Sequence, residues 1–193
     1  MLKKTAIGLV LAWLVLWVVD EYTQSSPWDT YMDAGTKAYQ QGNYPEAERQ
    51  FKGAVKEAEG FGLEAPRLTT SLNDLGALYR AQGKYAEAEP LLKRSLAILE
   101  KALRREHPDV AQSLNNLALL YDAQGRYAKA EPLSKRSLAI WEKALGPDHP
   151  NIAKNLENYA DLLRETGRGN EVLEMIARAG LIRAQQRKEN PSK

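Results

Sequence analysis

The stretch AEPLLKRSLAILEKAL at residues 88–103 returns almost unchanged as AEPLSKRSLAIWEKAL at residues 130–145, which lies 42 residues further along the chain. The same spacing relates residues 66–107 to residues 108–149, and these two segments share about two-thirds of their residues. It also aligns Pro66, Pro108 and Pro150, then Leu72, Leu114 and Leu156, and then Gly83, Gly125 and Gly167. A repeat of this length indicates a stack of similar structural units.

Each unit of the repeat is predicted to be two helices joined by a glycine turn. The first helix carries apolar or small residues at i, i+3, i+4 and i+7, which is the spacing of one helical face. These are Leu72, Leu75, Gly76 and Tyr79, then Leu114, Leu117, Ala118 and Tyr121, then Leu156, Tyr159, Ala160 and Leu163. Gly83 and Gly125 end the helix, because a residue without Cβ takes the left-handed conformation there. The second helix starts near the tyrosine two residues later.

The whole chain is therefore predicted to be all-α, with about four helix–turn–helix units in a repeat domain at residues 28–186. An earlier unit is marked by the turn Gly42-Asn43-Tyr44, and the last unit starts well at Ile152 but then loses the pattern. Asp109 with Gln112 is a predicted capping box that opens the helix of the third unit. Residues 187–193 are predicted to be a polar tail.

These features resemble the tetratricopeptide repeat, which has a glycine at the turn and small residues at set positions. The 42-residue period and the segment SLNNLALLYDAQGRYAKAEPLSKRSLAIWEKALGPDHPNIA at residues 113–153 are similar to the kinesin light chain subtype. The resemblance covers residues 28 to 183. It implies a right-handed superhelix in which the first helix of each unit lines a concave surface that holds an extended peptide or a helix.

One flank of each first helix is the predicted peptide-binding groove, since residues 73, 77 and 80 project about 100° from the apolar face. Across three units the flank consists of Asn73, Ala77, Arg80, Asn115, Leu119, Asp122, Glu157, Asp161 and Arg164. The asparagines could bond a peptide backbone, as the resemblance to kinesin light chains implies, because an amide both donates and accepts. Alternatively, Asn73 and Asn115 only link neighbouring helices, and the charged residues form a solvated face.

The N-terminal segment is predicted to be a membrane anchor over residues 1–20, with an uncharged run at 5–19 behind Lys3 and Lys4. The two lysines favour a cytoplasmic N-terminus and a repeat domain on the far side of the membrane, the periplasm if the source is bacterial. The alternative is a cleaved signal sequence and an exported protein. Residues 21–27 are predicted to be a linker.

Composition and motifs indicate a binding protein. The net charge of +2 comes from interleaved acids and bases, which is not a nucleic-acid footprint, and there are no cysteines. His107 and His149 are too far apart in a stack to share a metal ion, and no catalytic or cofactor motif is present, so we expect no enzyme, metal or cofactor. The function predicted is an adaptor for a protein or peptide partner. The alternatives are a self-associating structural protein and an inactive accessory subunit of an envelope complex.

Overall fold

The structure, a computed structural model, describes residues 26–60 and 66–189, and this part of the chain consists of eight α-helices without strands. In chain order they are α1 (Pro27–Gln40), α2 (Tyr44–Gly60), α3 (Pro66–Ala81), α4 (Tyr85–Ala102), α5 (Pro108–Ala123), α6 (Tyr127–Leu145), α7 (Pro150–Glu165) and α8 (Gly169–Glu189). The prediction of an all-α fold with four helix pairs is confirmed. The right-handed sense of the superhelix stays a prediction.

The turns inside the units are made by glycines, as the sequence predicts. Gly83 has a φ of 72° and Gly125 a φ of 68°, in the left-handed region that residues with a Cβ disfavour. The amides of Gly83 and Lys84 donate to carbonyls of the last turn of α3, and the same pattern follows α5. These bonds satisfy the open end of the first helix and turn the chain directly into the second.

Histidines open the helices of the third and fourth units, which the sequence analysis did not predict. Nδ1 of His107 accepts a hydrogen bond from the amide of Asp109 at 3.2 Å, and His149 caps α7 in the same way. The predicted capping box of Asp109 with Gln112 is wrong. A residue before proline favours extended backbone, so the helix begins at Pro108 and the histidine takes the capping position.

The helix pairs form two layers with different spacing. The first helices contact each other across units, α1 with α3, α3 with α5 and α5 with α7, whereas the second helices α2, α4, α6 and α8 make no such contacts within the described residues. Helices that converge lie at the smaller radius of a curved stack. The first helices therefore form the inner, concave layer.

The core runs along the stack between the two layers. Leu72, Leu114 and Leu156 repeat at the period of 42 and are fully buried. Ser95 and Ser137 also repeat and are buried, and each donates its hydroxyl to a carbonyl in the first turns of an inner helix, that of Thr69 and that of Ala111. The buried hydroxyl of each serine thus has a hydrogen-bond partner inside the apolar core, and the bond links the two helices of one unit.

A glutamate clasp joins each unit to the next. In every case the carboxylate accepts from the tyrosine hydroxyl of the next inner helix and from a basic residue just before the next outer helix. The three clasps are Glu48 with Tyr79 and Lys84, Glu89 with Tyr121 and Arg126, and Glu131 with Tyr159 and Arg168. Bonds from a lysine one turn on, and from these partners, lower the pKa of each glutamate to about 2.

Glu89→Gln is expected to lower the free energy of unfolding by about 1 kcal/mol at pH 7, since it weakens charge-assisted bonds across a unit boundary. The pKa of Glu89 is lowered in the folded state, so its contribution is complete above about pH 4.5 and is lost as the pH falls towards 2. Urea unfolding of both proteins at pH 7 and pH 3 measures the difference, which should shrink at pH 3. Glu87→Gln, an exposed glutamate on the same helix, is the control. An equal loss of stability in Glu89→Gln and Glu87→Gln would show that the clasp does not contribute to stability.

The clasp stops at the last described unit. Leu173 lies on α8 at the position equivalent to Glu89 and Glu131, and it is 68% exposed. At the other end, Ala38 and Asn43 occupy the positions of the tyrosine and the basic residue. Neither end of the described stack therefore carries the groups that join one unit to the next.

The predicted anchor at residues 1–20 and most of the predicted linker lie outside the described residues. The first described helix begins at Pro27, where Ser26 and Asp29 form a capping box. Along residues 26–60 and 66–189, no helix combines the length and the apolar character that crossing a membrane requires.

Candidate peptide-binding groove

The inner helices α3 and α5 enclose a cavity of about 310 Å³ on the concave side, with Leu99 of α4 contributing to its wall. Its described lining includes Pro66, Thr69, Thr70, Asn73, Asp74 and Ala77 from α3 and Asp109, Gln112 and Asn116 from α5. The cavity brings together two predicted groove residues, Asn73 and Ala77. The rest of its polar lining was not predicted.

Asp74 is the most unusual group in the cavity. Its side chain is half-buried, and no hydrogen-bond or ion-pair partner is present for it within residues 26–60 and 66–189. Burial alone raises the pKa of its carboxyl to about 6. A carboxylate in this state is poorly solvated and is available to a cation that enters the cavity.

The predicted asparagines Asn73 and Asn115 both link inner helices. The Oδ1 atom of Asn73 accepts a 3.4 Å bond from Ser113 on α5, and Oδ1 of Asn115 accepts a 3.2 Å bond from Asn158 on α7. Asn115 is only 5% exposed, whereas Asn73 is half-buried and lines the cavity. The helix-linking alternative therefore describes Asn115, and Asn73 combines this link with a place in the groove.

Arg80 and Asp122, two further predicted groove residues, are close enough to interact electrostatically and lie outside the cavity lining. Burial raises the pKa of Asp122, as do the carboxylates of Glu165 and Asp161, while Arg80 lowers it. One carboxylate oxygen of Asp122 is buried and has no hydrogen-bond partner among the residues that the structure describes. Leu119 is half-buried on the same helix. The surroundings of Asp122 are thus acidic, with Arg80 as a nearby compensating charge.

The remaining predicted groove residues, on α7, already have partners in their own unit. Glu157 accepts two bonds from Arg183 of α8, at 2.7 and 2.6 Å, and Asp161 pairs with Arg164 one turn on. Asp161 and Arg164 are exposed. Neither residue lies in an enclosed site, and their contact with a peptide stays a prediction.

The sequence carried a signal for the missed residues. Asp74, Asn116 and Asn158 repeat at the period of 42 and are polar in all three units. They lie one residue after the predicted positions 73, 115 and 157, which is about 100° further round the helix. The cavity faces this neighbouring flank, so residues 73, 74 and 77 describe it better than 73, 77 and 80.

Stacked helix pairs whose converging inner helices enclose a polar groove define a helical-repeat solenoid. The chain belongs to the tetratricopeptide repeat family, whose model matches residues 29–101, 67–140 and 109–179. The resemblance found in the sequence is thereby confirmed. Repeats of this family generally mediate protein–protein interactions, and the fold is typically non-enzymatic.

Solved structures with the same fold come from at least two other proteins. BtubC (BKLC) from P. vanneervenii is 22% identical, with a TM-score of 0.73 over 85% of this chain and 67% of that one. A variant of a putative kinesin light chain from Podosopora anserina, with nearly identical TPR-like repeats, is 27% identical, with a TM-score of 0.71 over 84% and 78% of the two chains. A second structure of that putative kinesin light chain is 26% identical, with a TM-score of 0.64 over 88% and 82%.

Proposed function

We propose that the protein is a membrane-anchored scaffold that holds an extended segment of a protein partner in the groove of its inner helices. The observation that carries the proposal is the cavity between α3 and α5, which is concave and lined mainly by polar side chains. Amide groups of Asn73, Gln112 and Asn116 lie in its wall, and such groups can donate to and accept from a peptide backbone.

Sequence features support the membrane part of the proposal. The uncharged run at residues 5–19, preceded by two lysines, is close to the length that spans a bilayer, and Trp13 and Trp17 lie towards the end where indoles favour the interface. An anchor of this orientation holds the repeat domain on the far side of the membrane, the periplasm in a bacterium. Signal cleavage would instead release the same domain.

Self-association is the second candidate, because the last outer helix exposes apolar side chains. Leu173 is 68% exposed, Leu181 72% and Ile176 43%. Exposed apolar residues on the last described helix can join copies of the chain. The missing clasp groups at both ends of the described stack make a simple continuation of the solenoid less favourable. An inactive accessory subunit of an envelope complex would use the same groove as the scaffold.

Photo-crosslinking at Ala77 and, separately, at Leu119 tests the groove in the full-length protein in living cells. Ala77 lines the cavity, and Leu119 is half-buried one unit further along. We expect both positions to give the same distinct partner, because an extended segment in the groove passes both. A crosslinker at Ala97, which is exposed on the outer helix α4, is the matched control and should not give that partner.

The possible outcomes separate the candidates. A shared partner at Ala77 and Leu119 supports groove recognition. Adducts between copies of this chain alone favour self-association, and the absence of adducts from both positions contradicts the groove. Fractionation of the same cells tests whether the N-terminal segment anchors the protein in the membrane. An anchored chain should stay with the membranes after a high-salt wash. Release into the soluble fraction would support cleavage of the segment.

A further inference from the structure

We propose that the cavity between α3 and α5 receives a lysine or arginine side chain of the bound segment, with Asp74 as its counter-ion. This inference rests on the proposed function, and it names the chemistry of the partner: an extended protein segment with a basic residue at one fixed position. Lysine and arginine share this chemistry, since either can donate charge-assisted hydrogen bonds to a carboxylate.

The first argument is the state of Asp74 itself. A half-buried carboxylate without a partner in the described residues is unfavourable in the folded protein, as its raised pKa shows. Its oxygens are not fully enclosed, in contrast to the buried oxygen of Asp122. The group therefore remains open to the cavity that it lines. Destabilising groups of this kind are characteristic of sites that serve binding rather than stability.

The second argument is the charge around the cavity. Its described lining contains the carboxylates of Asp74 and Asp109 and has no lysine, arginine or histidine. More widely, the four inner helices carry eight acidic and five basic residues. The two carboxylates of the cavity lining attract a cationic segment and disfavour an acidic one.

The third argument is the position of the carboxylate along the stack. The residues equivalent to Asp74 in the next two units are Asn116 and Asn158, which carry no charge. The equivalent residue in the first unit, Asp33, is exposed on α1. Neutral amides contact a backbone whatever its sequence, whereas one partly buried charge selects one side chain. The pattern therefore predicts that the α3–α5 cavity requires a basic residue in the bound segment, whereas the rest of the groove accepts many sequences.

The test uses the full-length protein in detergent micelles and a displayed library of random peptides. Selected peptides are first required to crosslink to a photoreactive residue at position 77. Each is then synthesised with its lysine or arginine and with norleucine in the same place, and its affinity is measured for the wild type, Asp74→Asn and Asp33→Asn. The asparagine keeps the shape of Asp74 and removes its charge, and Asp33→Asn removes the same charge outside the cavity.

We expect the selected peptides to share a basic residue whose replacement by norleucine weakens binding to the wild type about tenfold, the size of one charge-assisted hydrogen bond. The same replacement should have little effect on Asp74→Asn, while Asp33→Asn should behave like the wild type. Peptides that crosslink at position 77 but bind Asp74→Asn equally well would overturn this inference and leave the proposed function standing. If no peptide crosslinks at position 77, both fail.

Discussion

Leu92→Ala is expected to lower the free energy of unfolding by about 3 kcal/mol. Gly76→Ala is expected to destabilise the wild type but to stabilise the Leu92→Ala variant. Leu92 is fully buried on α4 and packs against α3 at Gly76. A Cβ at residue 76 would lie 2.6 Å from Cδ2 and 2.7 Å from Cγ of Leu92. In the wild type Gly76→Ala therefore overpacks the core, at a cost of about 1–3 kcal/mol.

In the Leu92→Ala background the obstacle is gone, and the new methyl group fills part of the space. Gly76→Ala should then stabilise by about 1 kcal/mol, the helix-propensity gain of alanine over glycine. Urea unfolding of the four proteins measures the coupling as a double-mutant cycle. Gly180→Ala on α8 is the control, because a Cβ there meets no other part of the described structure within 4 Å beyond its own helical turn and gives the propensity gain alone. A Gly76→Ala change that stabilises the wild type as much as Gly180→Ala would contradict the contact.

The same pair of positions recurs in every unit of the stack. A Cβ at Gly35 in the first unit would lie 2.6 Å from the ring of Phe51. In the third unit alanine replaces the glycine at residue 118, and Ser134 takes the place of the large side chain. In the fourth unit Ala160 is followed by Ile176 at the same spacing. Glycine thus accompanies a large side chain in the first two units, whereas alanine accompanies a small one in the third unit and a large one in the fourth.

The fold was predictable because the information for it lies within single helices. The period of 42, the apolar face of each first helix and glycines such as Gly83 and Gly125 each specify local structure, and all three agree. The histidine caps were not predicted, because Asp109 is a favoured cap residue and Gln112 follows it at the spacing of a capping box. Restriction of His107 by the following proline decides the helix start instead.

The groove was predictable only in part, because it depends on how neighbouring helices approach each other. A helical projection places Asn115 on an open flank, yet the convergence of α5 and α7 buries it against Asn158. The same convergence, between α3 and α5, removes solvent from Asp74 and raises its pKa. Neither effect is visible in one helix alone. Asn73 and Ala77 line the cavity because their part of the flank remains open, and their contact with a peptide stays a prediction.

Asp74→Asn is expected to raise the free energy of unfolding at pH 7 by about 2 kcal/mol. Burial raises the pKa of the carboxyl from 3.8 to about 6 in the folded state, so ionisation costs more in the folded protein than in the unfolded chain. At a pH below both values the acid is neutral in both states and the cost vanishes. It grows as the pH rises from about 4 to about 6 and is complete at pH 7. Asparagine has nearly the same shape and no charge, so it avoids this cost.

The pH dependence distinguishes this cause from a general gain in stability. Urea unfolding of the wild type and Asp74→Asn should give a difference of about 2 kcal/mol at pH 7 that falls to near zero at pH 4. Asp33→Asn, at the equivalent but exposed position of the first unit, should change stability little at either pH. A gain in Asp74→Asn that persists at pH 4 would assign the effect to packing instead. A loss of stability at pH 7 would mean that the carboxylate has a favourable partner in solution, and the argument that the protein keeps Asp74 for a bound cation would lose its physical basis.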